Sequence, residues 1–283
     1  MVLGVLNGVV YVCVGISIME ATMRSFRFLV LCLVWVLVVC GCGKEKKETA
    51  GEAAKPNDNS EKATTSKQER EVPMGVSIQW LCHSSFRITH GDTIVYIDPW
   101  KVKDSPHDAT VVLVSHSHFD HYSSGDIAKV SGPNTKLLAP LDVVSQEGKG
   151  ETILPGLRVE LPGVNVVGVP AYNLNKKFHP QSQKWVGFVV EIGGKCIYYA
   201  GDTDVTTEMK NLSKIDVAIL PVGGTYTMNA MEAAEAVNQI KPRLAIPCHW
   251  GDIVGGRGDA DKFAAMVKCP VKILSPSETI SVP

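Results

Sequence analysis

The segment Ser115-His116-Ser117-His118-Phe119-Asp120-His121 gathers three of the chain's 8 histidines and a carboxylate. In extended backbone, residues two apart project to the same side, so His116 and His118 can close on one ion. Asp120 and His121 lie past the apolar run Thr110–Val114, where the chain can turn and offer a carboxylate and an imidazole to a second ion. Imidazole nitrogen with carboxylate oxygen suits Zn²⁺, with Mn²⁺ or Fe²⁺ as alternatives. A buried cluster of this kind is costly without a cation. The competing reading is a group of solvated loop histidines. It fits poorly with a cluster placed at the end of a core strand.

Distant residues offer themselves as partners at other strand ends, where α/β folds place ligands. "YYAGDTD" puts Asp202 after a strand, with Gly201 permitting close backbone approach. "IPCHW" places His249, "IDPW" places Asp98, and "LCHSSF" places His83, which either lines the site or caps a turn. "GGTYTM" is a Gly-rich turn before a helix, so Tyr226 or the helix N-terminus could face an oxyanion. A plain helix start is the alternative. His90 and His107 read as solvated. Lys176, Lys177 and Lys184 could attract an anionic substrate or form a solvated loop face.

These residues need a scaffold. "VSIQWL", "SFRITHG" and "TIVYID" read as strands, the last two joined as a hairpin at "HGD". "TVVLVSH" is a continuous apolar run, which fits a buried strand. "TKLLAP", "LRVELPGVNVVGVPAY", "WVGFVVEIGGKCIYYAGD", "DVAILP", "RLAIPCHW" and "VKIL" supply further strands, with "VKIL" the last. "SSGDIAKV", "VTTEMKNL", "MNAMEAAEAVNQI" and "DADKFAAMVK" read as helices. Hairpins followed by alternating strands and helices imply two sheets with helices outside them.

The chain has 283 residues, 45% of them hydrophobic, and a formal net charge of -1. This suffices for one core of ordinary domain size plus extra segments. The near-neutral balance gives no case for nucleic acid binding. Residues 1–42 stand apart. From Met23, Arg24 and Arg27 precede the apolar run Phe28–Val39, followed by "CGCG". A charged start, a short apolar region and small residues describe an export signal. That run would span only about 18 Å as a helix, short of a bilayer's hydrocarbon core. "VCGC" resembles a bacterial lipoprotein lipobox with Cys42 as the lipidated residue; a retained membrane helix is the alternative. Residues 1–22 lack a charged start and read as an over-extended translation start, with a second apolar helix as the alternative. Residues 43–73 are polar and mixed in charge, without the apolar side chains to offset ordering, and read as a disordered tether. The folded domain is assigned to residues 74–283. Its four cysteines, Cys82, Cys196, Cys248 and Cys269, suggest no disulfide framework and read as buried thiols.

"HSHFDH", "AGDT" and "PCHW", in that order, resemble the metal-binding motifs of the metallo-β-lactamase superfamily. The resemblance runs from about Val76 to the C-terminus. Within the superfamily, "CHSSFRI…IDPW" and "LPVGGTYTMNAMEAAEAV" resemble the branch holding the ascorbate-6-phosphate lactonases and other metal-dependent hydrolases. N-acyl-phosphatidylethanolamine phospholipase D is a more distant relative. The resemblance implies a four-layer αββα sandwich with a site for one or two divalent ions, zinc first, at one edge of the sheets. His116 and His118 then match first-site ligands. Asp120, His121 and His249 match second-site ligands, and Asp202 matches the bridging carboxylate. Where the family carries a further histidine, this chain has Asn173, in "VPAYNLNKKFHP". An amide is a poorer zinc ligand than imidazole, and His179, six residues on, could swing in instead. The function so implied is hydrolysis of an ester, lactone, amide or phosphodiester bond in a small molecule, anionic substrates included. Asp120 would orient the nucleophile, Tyr226 and His83 being further catalytic candidates. The enzyme would be exported and anchored to a bacterial membrane through Cys42. A β-lactamase and a non-catalytic metal- or ligand-binding lipoprotein are the rival readings.

Overall fold

The computed structural model describes Val2–Leu6, Val9–Cys13 and residues 75–283. Val2–Leu6 and Val9–Cys13 pair antiparallel, so this stretch is not the apolar helix that was the alternative to an over-extended start. The rest of the leader, Cys42 and the whole tether lie outside the described residues. No helix among the described residues is long and apolar enough to cross a membrane.

Residues 75–283 form two mixed sheets. The first runs, in spatial order, Thr279–Ser281, Ser77–Cys82, Ser85–His90, Thr93–Ile97, Ala109–Leu113, Ser131–Ala139 and Glu151–Thr152. The second runs Leu244–Cys248, Val217–Pro221, Lys195–Tyr199, Val186–Ile192, Val164–Pro170 and Arg158–Leu161. In each sheet the antiparallel hairpins come first in the chain and parallel pairings follow, as between Thr93–Ile97 and Ala109–Leu113.

Strand alternation builds the layers. Val111 and Leu113 belong to the core between the sheets, where Phe86 of the first sheet meets Tyr199 of the second at 6.1 Å between ring centroids. Val112 and Val114 face the other way and pack with Ile127, Val130 and Val143 of two short helices, Ser124–Val130 and Leu141–Glu147. Being buried on both faces explains the continuous apolar run of this strand. The helix Ala230–Ile240 buries Ala230, Ala233, Ala234 and Val237, the spacing of one helical face, into the core that includes the second sheet. Arg257–Met266 packs beside it through Ala260 and Phe263. The order helix, sheet, sheet, helix is the αββα sandwich expected.

Two elements differ from the sequence reading. "VKIL" makes only a single bridge, Val271 with Ala245, beside Pro270, which has no N–H to donate. The last strand is instead Thr279–Ser281, which pairs with Ser77–Gln79 and carries too little apolar surface to announce itself. The helix Leu141–Glu147, closed by Gly148 at φ 68°, was also not anticipated.

Candidate metal centre

The site forms where strands of both sheets end. Asp98 follows Thr93–Ile97, and His116 follows Ala109–Leu113 by a short step. Asp202 lies just past Lys195–Tyr199, His249 directly past Leu244–Cys248, and His83 directly past Ser77–Cys82. Three of these residues turn the chain through left-handed backbone, His83 at φ 43°, Asp98 at φ 45° and His249 at φ 55°. Such conformations are unfavourable for residues with a Cβ and persist where the surroundings impose them. Glycine admits two close approaches. Gly201 takes φ 65°, and at Gly223 a Cβ would stand 2.4 Å from the His249 carbonyl oxygen.

Seven side chains converge. His118 Nδ1 lies 3.2 Å from His179 Nε2, which is 3.3 Å from Asp202 Oδ2. His249 Nε2 is 3.1 Å from Asp202 Oδ2 and 3.6 Å from Asp120 Oδ2. His121 Nε2 is 3.2 Å from Asp202 Oδ1 and 3.8 Å from Asp120 Oδ2, and His116 Nε2 is 3.9 Å from Asp202 Oδ2. The ligand atoms of His116, His118 and His179 form one compact set. Those of Asp120, His121 and His249, with His83, form another, and Asp202 lies against both. Two atoms bound to one tetrahedral ion at ~2.1 Å are about 3.4 Å apart, so these separations fit shared ions.

Hydrogen bonding behind the site decides which ring nitrogens are free. The Asp98 carboxylate can only accept, and it takes the Ser115 N–H at 2.7 Å, the Ser115 hydroxyl at 2.6 Å and the Tyr199 hydroxyl at 2.6 Å. His121 Nδ1 lies 2.7 Å from the same Asp98 oxygen, so the neutral ring carries its proton there and presents the Nε2 lone pair to an ion. Ser115 Oγ, having donated to Asp98, accepts from His116 Nδ1 at 2.9 Å, which frees His116 Nε2. Asn173 Oδ1 accepts the His179 backbone N–H at 3.1 Å and His179 Nδ1 at 3.0 Å, which frees His179 Nε2. Its amide nitrogen donates to Asp204 Oδ1 and to the Tyr226 carbonyl. Such contacts fix ligand tautomer and ring orientation.

The freed atoms have no other partner. His116 Nε2, His121 Nε2, His249 Nε2 and Asp202 Oδ1 are buried without a hydrogen bond. His118 Nδ1 lies within hydrogen-bond distance of His179 Nε2, at 3.2 Å. Buried acceptors aimed at a common point repel unless a cation lies between them, and this donor set of imidazoles and carboxylates fits a divalent metal.

In the metal-free chain the same groups are strongly coupled. Burial, and then the neighbouring His121, push His116 well below its ordinary pKa; burial and His179 lower His118. Burial also disfavours charge on His121, but Asp202 and Asp98 outweigh it and raise its pKa well above the ordinary value. His249 is raised despite burial by Asp202 and Asp120. Burial alone would raise both carboxyls, yet His121 and His249 hold Asp202 well below the usual range, and His249 and His83 do so for Asp120.

Of the sequence candidates, His116, His118, Asp120, His121, His179, Asp202 and His249 meet in this cluster. Asn173 does not face the ion site: both ends of its amide are engaged behind His179. His83 is buried, packs against His249 with ring centroids 4.1 Å apart and tilted by 44°, and contacts Asp120 Oδ2 at 3.3 Å from behind, so it supports the site and does not line the cavity. Tyr226 lines the cavity. The N-terminus of the helix Ala230–Ile240 is not free for an oxyanion, because Asn229 and Glu232 close it as a capping box. Lys176 is tied to Asp204, while Lys177 and Lys184 are exposed. Ser115, Tyr199 and Asp204 were not anticipated as parts of the site. The carboxylate pair in "GDTD" was the available hint for Asp204; Tyr199 is hidden in an apolar run.

Residues 77–249 match the family described as the β-lactamase superfamily domain. A UPF0173 metal-dependent hydrolase of Pyrococcus abyssi is 35% identical over 230 residues, covering 73% of this chain and all of that protein. A crystal structure of a Parabacteroides distasonis protein superposes with a TM-score of 0.63 at 28% identity, covering 70% of this chain and 92% of that one. Igni18, a metallo hydrolase from Ignicoccus hospitalis, shares the fold with a TM-score of 0.61 at 24% identity, over 74% of this chain and 98% of its own.

Proposed function

The chain belongs to the β-lactamase superfamily and, within it, to the UPF0173 metal-dependent hydrolases, and on that premise we propose that it hydrolyses an ester, lactone, amide or phosphodiester bond of a small molecule. The observation that carries this reading is the set of buried, unpartnered atoms of His116, His121, His249 and Asp202, of which the last two residues line an open cavity. His116, His118 and His179 would hold one divalent ion, Asp120, His121 and His249 a second, with Asp202 between them. Such ions, zinc first and manganese or iron as alternatives, supply a water-derived nucleophile at neutral pH and Lewis-acid polarisation of the bond under attack.

The chain's own groups then do the positioning. Asp120 faces the cavity and is kept ionised by His249 and His83, so Oδ2 can accept a hydrogen bond from the attacking water. His83 holds Asp120 from behind. Tyr226, across the cavity, is the candidate donor to the developing oxyanion. Trp185, 5.0 Å from both His116 and His118 by ring centroids, keeps water from one side of the first set. The non-catalytic binder loses its main support, the amide at Asn173, because His179 stands where that reading expected a gap.

We further propose export and lipid attachment at Cys42. Supporting this are Arg24 and Arg27, the short apolar run Phe28–Val39, and the polar tether that follows.

The test strips the purified protein of metal, reloads it with zinc, manganese or iron, and screens neutral and anionic esters, lactones, amides, phosphodiesters and a chromogenic β-lactam. Metal-dependent turnover abolished by Asp202→Ala is expected. A fully loaded protein that turns over none of these overturns the reading.

A further inference from the structure

We infer that the mouth of the metal cavity selects a neutral substrate bearing an apolar aryl or alkyl group beside the bond that is cut, and disfavours anions. This rests on the hydrolase reading above and adds the chemical class of substrate.

The cavity measures about 300 Å³ and opens directly above His118, Asp120, His179, Asp202 and His249. Its remaining walls are Phe119, Phe178, Tyr226 and Ile253. Three of them are unusually open for large apolar side chains: Phe119 is 67% exposed, Phe178 45% and Ile253 40%. Two of the three adjoin a metal-facing residue in the chain. Phe119 lies between His118 and Asp120, Phe178 directly precedes His179, and Ile253 follows His249 by four positions. Tyr226 packs edge-on against Phe178 at 4.7 Å, and Phe119 edge-on against the buried Trp100 at 6.4 Å. Rings propped in this way at a cavity mouth form the kind of exposed apolar patch that marks a ligand groove.

Charge points the same way. Neither lysine nor arginine lines the cavity among the described residues. Lys176, on the Phe178 loop, is neutralised by Asp204, and Lys101, stacked on Trp100, is paired with Asp252 at 2.8 Å. In the loaded site the ions would offset the carboxylates of Asp120 and Asp202, but the wall itself offers no side-chain cation to hold a charged group and presents rings instead. A neutral ester needs no such cation and covers the rings from water. In its hydrolysis the water oxygen bonds to the acyl carbon and the acyl–oxygen bond breaks. A carboxylate, an alcohol and one proton are released.

The test uses the metal-loaded full chain, its Phe119→Ser, Phe178→Ser and double variants, and two independent measurements. The first is kcat/KM for 4-nitrophenyl acetate, butanoate and hexanoate against anionic bis(4-nitrophenyl) phosphate. Turnover should rise about threefold per added methylene and flatten in the variants. The second is fluorescence binding of the neutral probe N-phenyl-1-naphthylamine, expected to weaken at least tenfold in the double variant. Preference for the phosphodiester, or probe binding that the variants leave unaltered, overturns the inference and spares the hydrolase reading. If nothing is hydrolysed but the variants lose the probe, the apolar mouth stands and the hydrolase reading falls.

Discussion

Asn173 Oδ1 holds His179 by two hydrogen bonds, one from its backbone N–H and one from its Nδ1. The amide therefore aims an imidazole at the ion site from behind. Asn173→Ala should weaken metal at the His116, His118 and His179 set by about 10- to 100-fold while the domain stays folded. Asn173→His should not restore a ligand, because the imidazole cannot also donate to Asp204 and the Tyr226 carbonyl. Competition with a chromophoric chelator measures both; unchanged affinity in either variant would contradict this role.

Asp98 receives Ser115 twice, Tyr199 and His121. An amide at this position presents one acceptor oxygen and adds a buried NH₂. Asp98→Asn should lower both Tm and metal affinity at the His121 set, the latter by about 10- to 100-fold. Thermal melts with and without metal, with metal content after dialysis, check this. Loss of Tm alone, with full metal retention, would reduce Asp98 to a structural group.

Metal uptake should release protons. Asp202 and Asp98 outweigh burial and raise the pKa of His121 above the ordinary 6.5 in the metal-free chain, and His249 is raised as well. Ligating imidazoles must be deprotonated, so ions displace these protons and affinity falls as pH falls. For the metal-free fold the sign is fixed by the same shift. The contribution of His121 and His249 is full below 6.5 and is lost as pH rises through their raised folded values. Calorimetry in buffers of different ionisation enthalpy should show net proton release at pH 7. Net uptake would contradict the raised values.

Gly223→Ala should disturb His249 through its backbone. The added Cβ would stand 2.4 Å from the His249 carbonyl oxygen, part of the backbone and unable to swing aside. The expected cost is about 1–3 kcal/mol of stability, with kcat falling as His249 is displaced. A denaturant melt and steady-state kinetics on the best substrate decide it; wild-type values in both would show that the loop relaxes freely.

Cys42→Ser should move the protein from the membrane fraction to the soluble one or stall its processing. Mass spectrometry of the native N-terminus should find a lipidated Cys42 and no residue before it. A mature chain that still carries Phe28–Val39 would indicate a retained helix instead.

Much of the sandwich was legible because its strands carry strong signals. Ala109–Leu113 is apolar on both faces, and Ala230–Ile240 shows helical spacing with a cap at Asn229. Thr279–Ser281 was missed because an edge strand of three residues needs little apolar surface. In the site, His116, His118, Asp120 and His121 announce themselves by proximity. The relation of Asn173 to His179 could not be read in the same way, since an asparagine replacing a histidine looks like a lost ligand until the loop between them is seen folded back. Asp98, Ser115 and Tyr199 are joined only by tertiary contact across 101 positions.

The metal-facing residues come from both sheets: His116, His118, Asp120 and His121 follow a strand of the first, while His179, Asp202 and His249 belong to loops of the second. An ion held by both groups is a cross-link between the two halves of the sandwich. The four cysteines of this domain, Cys82, Cys196, Cys248 and Cys269, are all free thiols, so no disulfide does that work here. Chelation would therefore remove the fastener along with the reagent, and the edge carrying the site should be where the halves part first. Inactivation by metal loss then becomes hard to reverse in proportion to how far that edge has opened before new metal arrives.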